Sequence, residues 1–131
     1  MAKSTDYEPP EWAAKSVPLE SKFKFAIYKK KNKIGEICIA EEMRKLSRGY
    51  LLIGRNSQMS DVVMEHPSIS RRHAAVIVND QGKFFLIDLK SGHGTELNGA
   101  AAVADEPTPL LGGAKIRFGG SSRRYIVHGG G

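Results

Sequence analysis

The chain has 131 residues, of which 40% are hydrophobic and 26% charged, a balance typical of a single globular domain. Its 20 Lys and Arg against 14 Asp and Glu give a formal net charge of +6, which favours an acidic partner: nucleic acid, a phosphorylated protein or an anionic surface. No run of about 18 apolar residues is present, so we expect no membrane partner, and the single Cys38 excludes an internal disulfide, which fits a reducing intracellular compartment.

The N-terminal part of the chain predicts a lead-in followed by a hairpin. Residues 1–21 contain several prolines without sustained periodicity, so we expect an extended or partly disordered lead-in with Trp12 against the domain surface. The domain itself is expected over residues 22–128. Its first runs, "FKFAIY" and "IGEICIA", flank the basic turn "KKKNK" (Lys29–Lys33), a pattern that predicts a β-hairpin. The following "AEEMRKLS" allows a helical turn or two but shows no convincing apolar stripe.

The rest of the chain predicts short strands separated by turns. We expect these strands at residues 49–54, 61–64, 73–78, 83–89, 95–98, 114–119 and 124–128. "NDQG" and Asn98-Gly99 are turn signals, and the second favours a hairpin because Asn and Gly tolerate positive φ. Many short strands with turns every 8–12 residues or so are typical of an all-β sandwich or barrel. The closing "GGG", residues 129–131, is expected to be a flexible tail.

The sequence lacks the patterns that carry catalysis or cofactor binding. It contains no G-x-S-x-G, H-E-x-x-H, Walker or G-x-G-x-x-G motif. Its four histidines and one cysteine show no metal-ligand spacing. The glycine-rich "GGAKIRFGG" has no helix N-terminus after it that could cradle a phosphate. We therefore predict a binding protein rather than an enzyme, with no metal and no cofactor.

Three predicted loops share a polar and cationic character. Gly54–Asn56 follows one strand, Ser68–His73 precedes another, and Lys90–Thr95 follows a third. Because consecutive strands of a sandwich run up and down, the three loops are expected at one rim. That rim would carry charged and hydrogen-bonding side chains: Arg55, Ser70, Arg71, Arg72 and His93. Such a set suits a doubly charged phosphate, since guanidinium groups bind its oxygens in a fork and hydroxyl and amide donors take the remaining acceptors.

The order of three short motifs adds a resemblance to a known family. Gly54-Arg55, Ser70-x-x-His73 and Asn98-Gly99, lying between short strands, resemble the signatures of the forkhead-associated (FHA) domain. This resemblance covers about residues 23–128, and "LIDLKSGHGTELNG" is similar to the family's stretch between its second and third signatures. It implies a β-sandwich of two twisted, mainly antiparallel sheets that binds phosphothreonine peptides. "LIGRN", "HPSISRRHA" and "FGGSSRRY" are further similar to the FHA domains of nuclear regulators of protein phosphatase 1.

The resemblance also implies a division of labour among the loop residues. The residues expected to contact the phosphopeptide are Arg55, Ser70, Arg71, Gly92, His93, Gly94 and Thr95, with Arg72 as an accessory contact or a solvent-facing side chain. Those expected to hold the binding loops in shape are Gly54, His73, Asn98 and Gly99. Gly92 stands where many FHA domains carry a polar side chain, which puts the peptide preference in question, although His93 can still donate to the peptide backbone.

The resemblance implies a function, and two alternatives stay open beside it. It implies a monomeric module that recruits phosphorylated splicing or cell-cycle proteins in the nucleus, with protein phosphatase 1 as a partner through a longer parent chain. The first alternative is a nucleic-acid binder that uses Lys29–Lys33 with Arg123 and Arg124. The second is a structural interaction module with a vestigial phosphate site.

Two short patterns have competing interpretations. "KIRF" (residues 115–118) fits the pattern by which proteins dock on protein phosphatase 1, but that mode needs an exposed segment. Because it lies in a predicted core strand, we expect Ile116 and Phe118 to be buried and unavailable. Lys29–Lys33 fits a nuclear-import or nucleic-acid patch, and it equally fits the charged hairpin tip of a protected sheet edge.

Overall fold

The computed structural model describes residues 6–129, which form a sandwich of two β-sheets. Its elements are β1 (Lys24–Lys29), β2 (Asn32–Ile37), α1 (Ile39–Leu46), β3 (Tyr50–Gly54), β4 (Val62–Val63), β5 (Ala74–Val78), β6 (Phe84–Asp88), β7 (Thr95–Leu97), β8 (Ala100–Ala101), β9 (Thr108–Pro109), β10 (Lys115–Phe118) and β11 (Arg123–His128). The predicted tail lies mainly outside the described residues. Within those residues, no helix has the length and apolar character needed to cross a membrane.

The two sheets confirm the predicted fold class. One has six strands in the order β2-β1-β11-β10-β7-β8, and the other has five in the order β4-β3-β5-β6-β9. All pairings are antiparallel except the short parallel contact between β3 and β4. The hairpin predicted around the basic turn is formed by β1 and β2, with Lys30-Lys31 at its tip.

The core lies between the sheets and is rich in aromatic side chains. Phe23 stacks on Phe84 with ring centroids 3.8 Å apart, and Phe118 contacts Tyr125 edge-on at 5.3 Å. Ile116 and Phe118 are fully buried in β10, as expected for "KIRF". The helix α1 also contributes, since Ile39 and Met43 lie on one face and are buried. The run "AEEMRKLS" does not show this apolar face, because Ile39 belongs to the preceding run "IGEICIA", which predicts a strand.

The lead-in covers the outer face of the five-stranded sheet. Trp12 contacts Phe85 edge-on at 5.0 Å, and the Ala14 amide donates to the Val78 carbonyl at 2.8 Å. Tyr7 packs with its ring centroid 5.5 Å from that of Tyr50. Every residue of β5 is therefore buried, one face by the second sheet and the other by the lead-in. Residues 7–17 are thus part of the fold rather than a separate extended arm.

Strand directions bring many chain segments to one end of the sandwich. The neighbouring β3, β5 and β6 are antiparallel, so the end of β3, the start of β5 and the end of β6 share a rim. In the other sheet, Phe118 at the end of β10 pairs with Thr95, and Lys29 at the end of β1 pairs with Arg123. The basic hairpin tip therefore lies at the same end as the three candidate loops.

Candidate phosphate-binding site

Backbone hydrogen bonds join the first two loops of the rim. The Arg55 amide donates to the Ser70 carbonyl at 3.0 Å, and the Asn56 amide donates to the Arg71 carbonyl at 3.2 Å. These two bonds tie the loop after β3 to the loop before β5. Arg55, Ser70 and Arg71, which the motifs placed at separate points of the sequence, are thereby brought together.

Gly54 allows this close approach. A Cβ atom at this position would lie 2.1 Å from the Arg71 carbonyl oxygen and 2.5 Å from the Ser60 hydroxyl oxygen. Both distances are far below van der Waals contact, so any larger residue would force the two loops apart. The Ser60 hydroxyl donates to the same Arg71 carbonyl at 2.8 Å and fixes it from the other side. The absence of a side chain at Gly54 therefore lets the loops on either side lie in contact.

His73 connects the second loop to the third. Its imidazole is fully buried; Nδ1 accepts from the Ser70 amide at 3.0 Å, and Nε2–H donates to the Gly94 carbonyl at 2.9 Å. This pattern assigns the neutral tautomer with its proton on Nε2. Burial lowers the pKa of His73 and outweighs the opposing effects of the Gly94 carbonyl and of the Asp88 carboxylate. A neutral imidazole therefore holds Ser70 in place from behind.

The Ser70 hydroxyl faces the third loop. Its oxygen accepts from the Gly92 amide at 3.0 Å, while its own proton stays available to donate. Gly92 and His93 are exposed at the tip of this loop, and Gly94 takes a positive φ of 79° that turns the chain back into β7. The rim thus presents a hydroxyl donor next to an exposed loop apex formed by Gly92 and His93.

Asp88, at the end of β6, fixes the base of the third loop. Its carboxylate accepts from the Ser91 hydroxyl at 2.5 Å, the Ser91 amide at 3.1 Å and the Thr95 hydroxyl at 2.7 Å. Asp88 is buried, so these donors compensate its charge in place of water. Sequence reasoning did not single out this residue, although an Asp followed three positions later by Ser is a local turn signal.

Thr95 differs from the expectation that it lines the ligand groove. Its side chain is buried at 1% exposure, and its hydroxyl is used by Asp88. The physical reason is that Thr95 begins β7, where alternation turns its side chain into the sandwich. Thr95 therefore supports the loop from below, while Gly92 and His93 form its exposed part.

The arginines of the rim have different surroundings. Arg55 is exposed, and its Nε donates to the Ile69 carbonyl at 2.9 Å, which orients the guanidinium and leaves its two terminal nitrogens for a ligand. Arg71 is also exposed, on a loop that backbone hydrogen bonds join to that of Arg55. Arg72 instead pairs with Asp6 of the lead-in at 2.8 Å, which holds the pKa of that carboxyl below its usual value. Arg72 is thus engaged by the lead-in and is neither solvent-facing nor grouped with the other two.

Asn98 and Gly99 lie farther from the rim than expected. Both have positive φ, 53° and 82°, and form the turn between β7 and β8. The Asn98 side-chain oxygen accepts from the Lys115 amide at 2.9 Å, which ties this turn to the start of β10. The hairpin prediction is confirmed. Because β7 runs away from the rim, however, these residues lie at the opposite end of that strand, where they are bonded to β10.

A comparison with family models identifies the domain. The model of the FHA domain matches residues 51–119, a range that runs from the second residue of β3 past the end of β10 and includes the three loops. The chain belongs to the FHA domain family. FHA domains are phosphopeptide-binding interaction modules, which agrees with a rim that joins Arg55, Ser70 and Arg71.

Curated relatives and solved structures extend this FHA similarity beyond the matched range. The chain is 33% identical over 126 residues to the protein phosphatase 1 regulatory inhibitor subunit PPP1R8 homolog of Arabidopsis thaliana, covering 96% of this chain and 32% of that protein. It is 35% identical over 99 residues to the human nuclear inhibitor of protein phosphatase 1, covering 75% of this chain and 27% of that protein. The FHA domain of TbPar42 superimposes with a TM-score of 0.70 at 31% identity, covering 95% of this chain and 65% of that one. The chain thus spans about a third of the length of these curated relatives.

Proposed function

We propose that this FHA domain binds phosphothreonine in a nuclear partner protein. The observation that carries the proposal is the convergence of Arg55, Arg71 and the Ser70 hydroxyl on one exposed rim. Phosphorylation adds about −1.5 to −2 charge and three acceptor oxygens to a threonine. The two guanidinium groups supply opposite charge, the Ser70 hydroxyl donates one hydrogen bond, and the backbone of the loop tip at Gly92 and His93 meets the peptide.

The rigid support of the rim favours tight phosphate capture. His73 and Asp88 fix the second and third loops from the buried side, so little conformational freedom is lost when a ligand arrives. Arg55 is already oriented through its Nε bond to Ile69. Preorganised charge-assisted donors of this kind are the strongest hydrogen-bonding partners of a phosphate.

The wider biological role is proposed from the relatives. Two of them are named as regulators or inhibitors of protein phosphatase 1, one of them as nuclear, and this chain spans about a third of their length. We therefore propose that the domain recruits phosphorylated nuclear proteins, of the splicing or cell-cycle kind, to a longer chain that regulates protein phosphatase 1. That phosphatase contact does not use "KIRF", because Ile116 and Phe118 are buried.

The nucleic-acid alternative is less well supported by the surface. Binding of single strands relies on exposed aromatic side chains among the basic ones. Next to the basic hairpin tip, Tyr125 is buried at 3% exposure and Tyr28 is partly buried in β1. Neither offers a stacking platform.

Peptide titration of the Arg55→Ala variant tests the proposal. Fluorescence anisotropy should show binding of a phosphothreonine peptide, weaker binding of its phosphoserine version and none of the unphosphorylated one. Losing a charge-assisted bidentate partner should cost about 2 kcal/mol or more, roughly a thirtyfold weaker Kd. Lys83→Ala removes an exposed charge from the β5–β6 turn at the opposite end and is the matched control. Equal loss in both variants, or binding independent of phosphate, would contradict the proposal.

A further inference from the structure

A groove adjoins the candidate phosphate site at Ile69. It encloses about 570 Å³ between β4 and its following segment on one wall and the ends of β1 and β11 on the other. The two sites share a wall, because Ile69 lines the groove while its carbonyl orients Arg55 and its neighbour Ser70 faces the phosphate rim. A ligand chain leaving the rim on this side therefore runs directly into the groove.

The interior of the groove is apolar. Ile69, Met64 and Tyr125 are buried in the core and form its floor. Val63 remains 40% exposed on the β4 wall, and Ile27 is partly exposed on the β1 wall. Apolar surface that stays open to water in this way gains free energy when an aliphatic side chain covers it.

The mouth of the groove is cationic. Phe25, Ile27 and Lys29 alternate on the face of β1 that meets the other sheet, so Lys29 extends from the edge of the core. Its partner across the strand pair is Arg123, which is also exposed and also lines the groove. Like charges placed directly opposite each other on neighbouring strands destabilise a sheet.

This pair has no compensating carboxylate. Among residues 6–129, no acidic side chain lies within ion-pairing distance of Lys29 or Arg123, whereas Lys24 and Lys33 on the same hairpin both pair with Glu36, at 2.9 Å and 2.5 Å. That double pairing lowers the pKa of Glu36 to about 2. The one acidic residue that lines the groove, Glu65, is on the opposite wall. A juxtaposed pair of cations beside an open apolar groove is complementary to an acidic ligand.

We propose that this groove is a second docking site for the same phosphorylated polypeptide, taking an aliphatic side chain together with neighbouring acidic residues. The inference rests on the proposed phosphothreonine binding and adds the class of sequence that must accompany the phosphosite. Ile69 lines the groove and is the chain neighbour of Ser70, so the groove begins next to the phosphate rim. The docking residues therefore lie on the ligand segment that leaves the phosphothreonine on this side.

Selection from a peptide library tests the groove. The probe is a set of phosphothreonine peptides in which the residues on both sides of the phosphothreonine are randomised. The wild-type domain should enrich Asp or Glu and branched aliphatic residues on one side. The double variant Lys29→Ser/Arg123→Ser should lose the preference for acidic residues, and Val63→Asp should lose the preference for aliphatic residues. In each variant the Kd of a selected peptide should rise about tenfold. The Kd of a short phosphothreonine peptide should change less than twofold.

The controls distinguish a failure of the groove proposal from a failure of the proposed phosphothreonine binding. Lys83→Ser, at the opposite end of the sandwich, is the matched control here, and unchanged melting temperatures show that the variants are folded. If the wild-type domain selects nothing at these positions, or both groove variants keep its selection, the groove proposal is overturned while phosphothreonine binding stands. If the short phosphopeptide itself fails to bind the wild type, the proposed function is overturned. A third outcome is that the double variant loses binding of an oligonucleotide while its peptide selection is unchanged. In that case Lys29 and Arg123 bind nucleic acid, and the groove proposal is also overturned.

Discussion

Replacement of Thr95 by Val isolates the bond that anchors the third loop. The two side chains have nearly the same shape, so Thr95→Val removes the hydroxyl that donates to Asp88 at 2.7 Å without opening a cavity. Hydrogen bonds to a charged group contribute about 1.5–3 kcal/mol, and at 1% exposure no water replaces the lost donor. For a domain of this size that loss lowers the melting temperature by roughly 5–15 °C.

Urea denaturation followed by fluorescence provides the measurement. The midpoint should fall while the slope with denaturant stays constant, because the surface exposed on unfolding is unchanged. Thr95→Ser keeps the hydroxyl and should recover most of the stability. In an Asp88→Ala background Thr95→Val should cost clearly less, and the difference gives the coupling energy of the pair.

Two outcomes would contradict the proposed role of the Thr95 hydroxyl. If Thr95→Val left the urea midpoint unchanged but abolished phosphopeptide binding, the hydroxyl would contact the ligand as the sequence motifs first indicated. Additive costs in the double-mutant cycle would show that Asp88 and Thr95 do not act on each other.

The other predictions concern the support of the rim and the charge of the ligand. Gly54→Ala should lower the free energy of unfolding by about 1–3 kcal/mol and weaken phosphopeptide binding, because its Cβ meets the Arg71 carbonyl at 2.1 Å; Gly112→Ala, with open space around it, should do neither. Since the folded pKa of His73 lies below its ordinary 6.5, the unfolded chain binds the proton first, so stability is full above about pH 6.5 and falls below it by up to about 1.4 kcal/mol per pH unit. His73→Gln should flatten that part of the stability profile; an unchanged slope would show that another group titrates. Phosphopeptide affinity should weaken as pH drops through about 6, where the phosphate becomes a monoanion; equal affinity at pH 5 and pH 7.5 in a His93→Ala variant would contradict recognition of the dianion.

Local pattern was sufficient for most strands of this fold. Runs such as "FKFAIY" and "RYIVH" alternate or are rich in branched residues, and both became strands close to their predicted bounds. β8 and β9 were not predicted because two residues each are too few to show a period. The complete burial of β5 has no local explanation either, since its outer face is covered by residues far away in the sequence.

The sequence was sufficient to predict which polar side chains gather at the rim. Arg55, Ser70 and Arg71 were named from motifs, and the rim brings them together. The sequence does not predict the contacts that depend on side-chain orientation or on backbone atoms. The Ile69 carbonyl that orients Arg55 has no residue signature, and the inward orientation of Thr95 follows from the strand that begins there.

The lead-in over the five-stranded sheet has a practical consequence for how the domain is isolated. Leu52, Ala75, Ile77 and Ile87 form an apolar cluster that Tyr7 and Ala13 cover. A fragment that starts at Lys22 would keep both sheets and the whole rim. It would, however, expose this cluster as a continuous apolar surface. Such a fragment would self-associate or precipitate, and its poor behaviour could be mistaken for a defect in ligand binding. The N-terminal residues therefore belong in any preparation used to measure affinity.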